Sequence, residues 1–228
     1  MNTSTTLERS GTFDQRQLAQ ITGLGLLLII VFVGLAEGVG FANILVDDDA
    51  AATAQNILEK GGQLRFGILA HLMVIAFDLL VAWSLYLYLK RSAPQLALFA
   101  GWLRLAYSIL YAAALFNVVE AIQYASAAGL LAESVSGIWQ AQAMLALGAF
   151  RDGWNLAFVL FGFHLGVLGW ALLKDQTMPK WLAWLIVAGG FAYLFDFKED
   201  GVIITVNEYF LDYLNVSAFL ALHPLLVA

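Results

Sequence analysis

Several apolar runs long enough to cross a lipid bilayer constrain this chain more than any other feature. The first is LAQITGLGLLLIIVFVGLAEGVGFANILV, residues 18–46. An α-helix rises about 1.5 Å per residue, so about 20 apolar residues cross a hydrocarbon layer of roughly 30 Å. Further runs of this kind occupy residues 64–89, 95–128, 149–173 and 181–197. We therefore predict an all-α fold, a polytopic transmembrane helix bundle that forms a single domain over residues 1–228.

The segments between and after these runs are more polar. Residues 202–228 predict a sixth span only in part, because asparagines and acidic residues interrupt them, so the number of spans is five or six. The stretch DDDAAATAQNILEKGG predicts a short helix on the outer face, at about residues 49–60, with an Asp cap at its start and the Gly pair at its end. Residues 136–150 predict an interfacial helix with Trp139 at the level of the lipid headgroups.

The composition agrees with a lipid environment. Hydrophobic residues make up 61% of the chain and charged residues 12%, whereas a soluble domain is close to half apolar and about a quarter charged. The lipid bilayer is therefore the predicted partner. The absence of cysteine excludes disulfides and thiolate chemistry, and the net charge of −6 argues against nucleic-acid binding. Lys and Arg are enriched at alternate ends of the spans, which predicts a cytoplasmic N-terminus.

Three ionisable residues are predicted to lie at one depth inside the bilayer. Counted along helices from the predicted span ends, Asp78 lies about 21 Å and His164 about 22 Å from the outer edge, and Arg104 lies about 13 Å from the inner edge. In a layer of roughly 30 Å these depths coincide within one helical turn. Ionisable side chains inside spans normally face the bundle interior and mark candidate sites.

A second polar group is predicted nearer the outer face. Its members are Glu37, His71, Asn117, Glu120, Arg151, Asp152, Asn155 and Asp196, and Tyr124 shares a helix face with Asn117 and Glu120. His71 and Asp78 are seven residues apart and so share a helix face, which connects the two groups. Together these residues could line a polar funnel from the outer surface to a floor of Asp78, Arg104 and His164. His71 has no predicted partner except this outer group, around Glu120 and Asp152.

Simpler interpretations of the same residues stay open. Asp78 and Arg104 could form a purely structural ion pair, because pairing removes much of the cost of a charge in lipid. His164 could bond a backbone carbonyl. A zinc site would need three or four convergent ligands, and His71, Asp78 and His164 could supply three, but His71 is predicted roughly 11 Å above His164. Phosphate-binding and hydrolase motifs are absent from the sequence, and the identity of any cofactor stays unknown.

Three passages carry a resemblance to a known family. They are DDDAAATAQNILEKGGQLRFGILAHLMVIAFDLL, the Trp102-Leu103-Arg104 triplet, and RDGWNLAFVLFGFHLGVLGWALLK. The chain resembles an uncharacterised family of bacterial integral membrane proteins, domain of unknown function 4386, over roughly residues 20–200. The family positions match Arg65, Asp78, Arg104 and His164. The resemblance implies a multi-pass protein of the bacterial cytoplasmic (inner) membrane, and it implies no particular activity.

Three functional hypotheses follow. The first is a non-enzymatic multi-pass membrane protein that binds a small amphipathic or lipid-like molecule in an outward-opening polar cavity, with Arg104 suited to an anionic group. The second is an accessory subunit that packs against other membrane subunits of a larger complex. The third is a membrane-embedded hydrolase or metalloenzyme that uses His71, Asp78 and His164.

Overall fold

The computed structural model describes residues 13–194, and all regular secondary structure in that range is helical. The helices are α1 (Gln15–Leu35), α2 (Ala50–Glu59), α3 (Gly61–Leu89), α4 (Pro94–Leu130), α5 (Glu133–Lys174) and α6 (Lys180–Leu194). Four stretches are long and apolar enough to cross a membrane: α1 with the turn that extends it, α3, α4, and α5 from Val135 onward. The predicted all-α bundle of membrane type is confirmed.

The fifth predicted span corresponds in part to α6, a shorter apolar helix of 15 residues. Residues 195–197 of that predicted span lie outside the described residues, and so does the predicted sixth span, residues 202–228. The orientation of the bundle in the membrane stays a prediction. The end that carries α2, the predicted outer end, is called the α2 end below.

The first apolar run does not form one straight helix over residues 18–46. A capping box between Asp14 and Gln17 starts α1, and a π-helical turn, Ala36–Gly40, ends it. After this turn the chain reverses through Asn43, whose φ is 54°. The following residues pack instead against α2, where the Thr53 hydroxyl accepts a hydrogen bond from Val46 N at 3.0 Å. The helical span therefore ends at Gly40 and not at residue 46 as predicted.

The short helix predicted for residues 49–60 is present as α2. Asp49 caps it by accepting a hydrogen bond from Ala52 N at 2.9 Å. The glycine pair does not end this helix, because α2 stops at Glu59 and α3 begins at Gly61. A single residue, Lys60, thus separates two helices at the α2 end.

The predicted interfacial helix, residues 136–150, is not a separate element. It is the first part of α5, whose 42 residues run without a break. The buried positions Ala143, Leu147 and Phe150 continue at helical spacing into Ala157, so one face of α5 packs inward from Ala143 onward. At about 1.5 Å per residue, α4 and α5 are about 55 and 63 Å long, so both extend beyond a hydrocarbon layer of roughly 30 Å.

Small residues allow the helices to approach closely. A Cβ atom on Gly162 would lie 2.9 Å from Gly190 O, and one on Gly190 would lie 2.9 Å from Gly166 N, so glycines form the contact between α5 and α6. A Cβ atom on Gly40 would lie only 2.2 Å from the Cα atom of Gly67, where the π-helical turn meets α3. Small residues at crossing points are typical of membrane helices, whose association depends on close packing.

Candidate functional site

A buried charged cluster joins α3, α4 and α5. The Arg104 guanidinium donates from Nη2 to Asp78 Oδ1, and its Nη1 lies 3.2 Å from His164 Nε2. His164 Nδ1 lies 2.9 Å from the carbonyl oxygen of Ala100, which can only accept, so Nδ1 carries the proton and Nε2 accepts from Arg104. Asp78 and Arg104 are each 2% exposed. The three residues predicted at one depth thus lie together, with Arg104 between the other two.

This arrangement uses most of the polar capacity of Arg104. The guanidinium charge is paired with Asp78, and its carbon lies 5.3 Å above the ring of Phe161. Of the three guanidinium nitrogens of Arg104, Nε alone has no hydrogen-bond partner within residues 13–194. The geometry therefore gives little support to the prediction that Arg104 holds an anionic group. The cluster is best explained as a set of hydrogen bonds that holds α3, α4 and α5 together.

His71 is the centre of a second polar contact. Its Nδ1 atom is hydrogen bonded to the Tyr111 hydroxyl, and its Nε2 atom lies 3.1 Å from Glu37 Oε1. The latter contact has an ion-pair distance but lacks the alignment of a hydrogen bond. The His71 side chain is fully buried, whereas the Glu37 side chain is 44% exposed. A carboxylate at the bundle surface thus contacts an imidazole in the interior.

Aromatic rings enclose His71 on several sides. The ring centroids of Phe41, Phe150 and Trp154 lie 4.8, 5.4 and 5.4 Å from that of the imidazole. Trp154 also stacks on Tyr111, with centroids 5.2 Å apart and planes 8° from parallel. Aromatic side chains therefore surround His71, and the half-exposed Glu37 carboxylate is the polar group through which it meets the surface.

Further rings fill the space between His71 and Arg104. Tyr107 lies 5.0 Å from Phe161 and 5.9 Å from Phe158 by ring centroids, and Phe158 lies 5.3 Å from Trp154. This aromatic column occupies the region where a polar funnel was predicted.

Among the described members of the outer predicted group, Glu37 contacts His71, and Glu120 and Asp152 do not. Glu120, Arg151 and Asp152 are exposed, and Asn117 and Asn155 are half-buried. Asn117 donates to Ala114 O of its own helix at 2.9 Å. Asp196 lies outside the described residues. The expected pairing of His71 with Glu120 and Asp152 is wrong, because Glu37 and Tyr111 contact it instead.

An apolar cleft lies on the other side of the charged cluster. It is small, with room for about one water molecule, and His164 is among the residues that line it. Its other walls are aliphatic and aromatic, contributed by residues such as Leu85, Tyr86, Ala97 and Leu168. No polar atom is exposed on its walls, because both nitrogens of His164 are bonded to Arg104 and to the Ala100 carbonyl, so nothing there would orient a ligand.

A metal site of His71, Asp78 and His164 is not formed. Asp78 and His164 both bond to Arg104, a cation, while His71 is bonded to Tyr111. Across the part of the chain that the structure describes, no three His, Asp or Glu side chains are grouped so that they could hold a metal ion.

Two contacts of the site were not anticipated from the sequence. Tyr111 lies seven residues after Arg104 and four residues after Tyr107, so helical spacing places all three on one face of α4. That signal was available for Tyr111. The contact of Glu37 with His71 depends on the π-helical turn, which no sequence pattern indicated.

The fold and these contacts define a polytopic helical membrane protein with a buried Asp–Arg–His cluster and a Glu–His–Tyr contact near one end. The chain belongs to the family described as "Domain of unknown function (DUF4386)", which matches residues 21–227 and confirms the resemblance. It is similar to an uncharacterized protein of Archaeoglobus fulgidus, with 24% identity over 146 residues, 63% of this chain and 74% of the relative. No solved structure matches.

Proposed function

We propose that this protein is a non-enzymatic membrane protein that binds a small amphipathic or lipid-like molecule, with the polar part of the ligand at Glu37 and His71. The observation that carries the proposal is the half-exposed Glu37 carboxylate in contact with the buried His71 imidazole, whose Nε2 atom has no aligned hydrogen bond. A buried nitrogen without a hydrogen bond is costly and calls for an explanation. A ligand group that displaces the half-exposed Glu37 carboxylate from Nε2 and bonds to both would supply one.

The position of this contact suits a ligand that enters from the membrane. Glu37 lies about 33 Å along the helix axis from Gln15, at the end of a hydrocarbon layer of roughly 30 Å. Apolar side chains near it on the π-helical turn and on α3 are exposed, among them Val39, Leu69 and Leu72. An apolar tail could therefore lie along these side chains while the headgroup meets Glu37.

The chemistry of the walls favours a headgroup that donates hydrogen bonds or carries positive charge. The carboxylate of Glu37 accepts hydrogen bonds only, and the rings of Phe41 and Trp154 stand beside the imidazole. Aromatic faces attract cations. An amphipathic amine fits this combination better than the anionic ligand that Arg104 suggested.

The alternatives are supported less well. A metalloenzyme that uses His71, Asp78 and His164 would need Asp78 and His164 to leave Arg104.

The membrane that holds this protein is proposed to be the bacterial inner membrane, as the resemblance implied. The relative compared above is archaeal.

The test is a titration of the purified protein in detergent with nitroxide-labelled dodecylamine, followed by quenching of tryptophan fluorescence. We expect saturable binding that weakens by roughly 10- to 100-fold in Glu37→Gln, because a hydrogen bond to a charged group contributes about 1.5–3 kcal/mol. Glu120→Gln is the matched control, since Glu120 is an exposed acid outside the site, and it should bind as wild type. Equal binding by Glu37→Gln, or equal quenching by nitroxide-labelled dodecanoate, would overturn the proposal.

A further inference from the structure

The contact between Glu37 and His71 fixes the position of a proton. Glu37 Oε1 and His71 Nε2 lie 3.1 Å apart. A carboxylate oxygen and an imidazole nitrogen without a proton both accept hydrogen bonds, so two such atoms would repel each other at this distance. A proton therefore lies between them, and His71 Nε2 carries it, because imidazole is ordinarily the stronger base of the two. The contact lacks the alignment of a hydrogen bond, so the carboxylate stabilises this proton less than a well-aligned bond would.

The two buried histidines of the bundle differ in their freedom to change protonation. His164 Nδ1 faces the carbonyl oxygen of Ala100, which only accepts, and its Nε2 faces the cation Arg104, so one neutral form of the ring is fixed. His71 Nδ1 faces the hydroxyl of Tyr111, which can either donate or accept. The partner at Nδ1 therefore tolerates a proton there or its absence, and His71 can change protonation where His164 cannot.

Glu37 connects the imidazole of His71 with the surface. The side chains of His71 and Tyr111 are fully buried, whereas that of Glu37 is 44% exposed. From α5 the imidazole meets the rings of Phe150 and Trp154. Glu37 stands on the π-helical turn, and such turns are frequent at functional sites. A proton that leaves Nε2 therefore leaves on the side of Glu37.

The other titratable side chains near His71 on α3, α4 and α5 are paired elsewhere, packed among rings or exposed. Asp78 and Arg104 form their own ion pair, and Tyr107 packs against Phe158 and Phe161. The remaining charged residues of these helix segments are exposed to the surroundings of the bundle: Arg65, Glu120, Arg151 and Asp152. Within the described residues, the groups that contact the imidazole and can exchange a proton with it are thus Glu37 and Tyr111.

We propose that a proton on His71 and an amphipathic amine compete for the Glu37 carboxylate, so that binding of the amine expels the proton. The inference rests on the proposed function, since the headgroup must bond to both Glu37 and His71. An ammonium group donates hydrogen bonds and cannot accept them, so it bonds to Nε2 only where that nitrogen has lost its proton. The protein therefore binds the amine at neutral pH and releases it on acidification.

The number of protons released depends on the charge of the imidazole. Where the ring is charged, Nε2 gives its proton to water, and Nδ1 keeps its own and donates to the Tyr111 hydroxyl, so one proton leaves for each amine bound. Where the ring is neutral, Nε2 loses a proton and Nδ1 gains one, so the net release is zero. A histidine ordinarily changes its charge between pH 5 and pH 8, so we expect release of about one proton at pH 5 and almost none at pH 8.

The first test is isothermal titration calorimetry of the purified protein in detergent with dodecylamine. Pairs of buffers that differ in heat of ionisation count the protons released. We expect the dissociation constant at pH 5 to be roughly tenfold or more above that at pH 8, because release of one proton changes the affinity by up to about tenfold per pH unit.

Two histidine variants identify the source of the proton. His71→Gln should bind more weakly at pH 8, because the amine loses its bond to the imidazole, but it should release no proton, and its affinity should change by less than about threefold between pH 5 and pH 8. His164→Gln is the matched control at a buried histidine outside the site, and it should release protons as the wild type does.

The second test uses the wild-type chain. Nitrogen NMR of protein with isotope-labelled histidine distinguishes a protonated ring nitrogen from a bare one, and the chain contains three histidines. We expect His71 Nε2 to carry a proton in the ligand-free protein and to lose it when dodecylamine is added. His164, whose proton stays on Nδ1, is the internal reference.

The outcomes separate this inference from the proposed function. Saturable binding of dodecylamine with equal affinity at both pH values and no proton release would overturn the inference alone. So would proton release by His71→Gln equal to that of the wild type, or a bare Nε2 in the ligand-free protein. Absence of saturable binding at pH 8 would overturn the proposed function, and this inference with it.

Discussion

The ion pair of Asp78 and Arg104 gives the sharpest prediction about stability. Both side chains are buried, and Arg104 also meets His164. In Asp78→Leu the guanidinium keeps its contacts with His164 Nε2 and the Phe161 ring but loses its counter-charge. Breaking a buried pair by removing one partner costs about 3–5 kcal/mol, because a buried charge is left uncompensated. We therefore expect the free energy of unfolding to fall by about 3–5 kcal/mol.

The double variant Asp78→Leu/Arg104→Met distinguishes the cost of an unpaired buried charge from the cost of replacing the two side chains. Replacing both partners with apolar residues removes the unpaired charge, so most of the loss should be recovered. The assay is an SDS titration of the detergent-solubilised protein, with unfolding followed by tryptophan fluorescence. Asp152→Leu, at an exposed acid, should change the free energy by less than about 0.5 kcal/mol. The reasoning is refuted if Asp78→Leu costs no more than this control, or if the double variant is as unstable as the sum of the single variants.

Two further predictions concern the ends of the helices. Gly40→Ala should destabilise the protein by about 1–3 kcal/mol, because its Cβ atom would meet the Gly67 backbone. Gly34→Ala is the control, since a Cβ atom there would lie in open space. An SDS titration in which both variants behave alike would contradict this prediction. Partial burial alone would raise the pKa of Asp175, but hydrogen bonds from Thr177 outweigh it and lower that pKa. Its contribution to stability is therefore present at neutral pH and lost as the pH falls below about 4, the ordinary pKa of an Asp. Asp175→Asn should flatten the dependence of the thermal midpoint on pH in that range, and an unchanged pH profile would show that Asp175 is not responsible.

The sequence was sufficient to predict the features that depend on helix length and rise. Depth along straight helices placed Asp78, Arg104 and His164 at one level, because α3, α4 and α5 run unbroken through that region. The Asp cap at the start of α2 followed from local chemistry. In both cases the determining interactions are regular and lie close in sequence.

Features that depend on how helices rotate and approach one another could not be predicted in the same way. The contact of Glu37 with His71 requires a π-helical turn, which changes the angular position of the residues after Leu35. The polar funnel failed as a prediction because spacing places residues at a depth without showing what stands between them. Here aromatic rings such as Tyr107 and Phe158 occupy that space.

The location of the ligand headgroup is the central claim, and photo-labelling tests it most directly. A dodecylamine that carries a diazirine next to its amine would be added to the protein in membranes, activated by light, and mapped by mass spectrometry of the peptides. We predict that labels concentrate in residues 36–41 and 68–72, around Glu37 and His71, and that unlabelled dodecylamine suppresses them. Labels spread evenly over the lipid-facing helices, or concentrated at the apolar cleft beside His164, would contradict the proposed site.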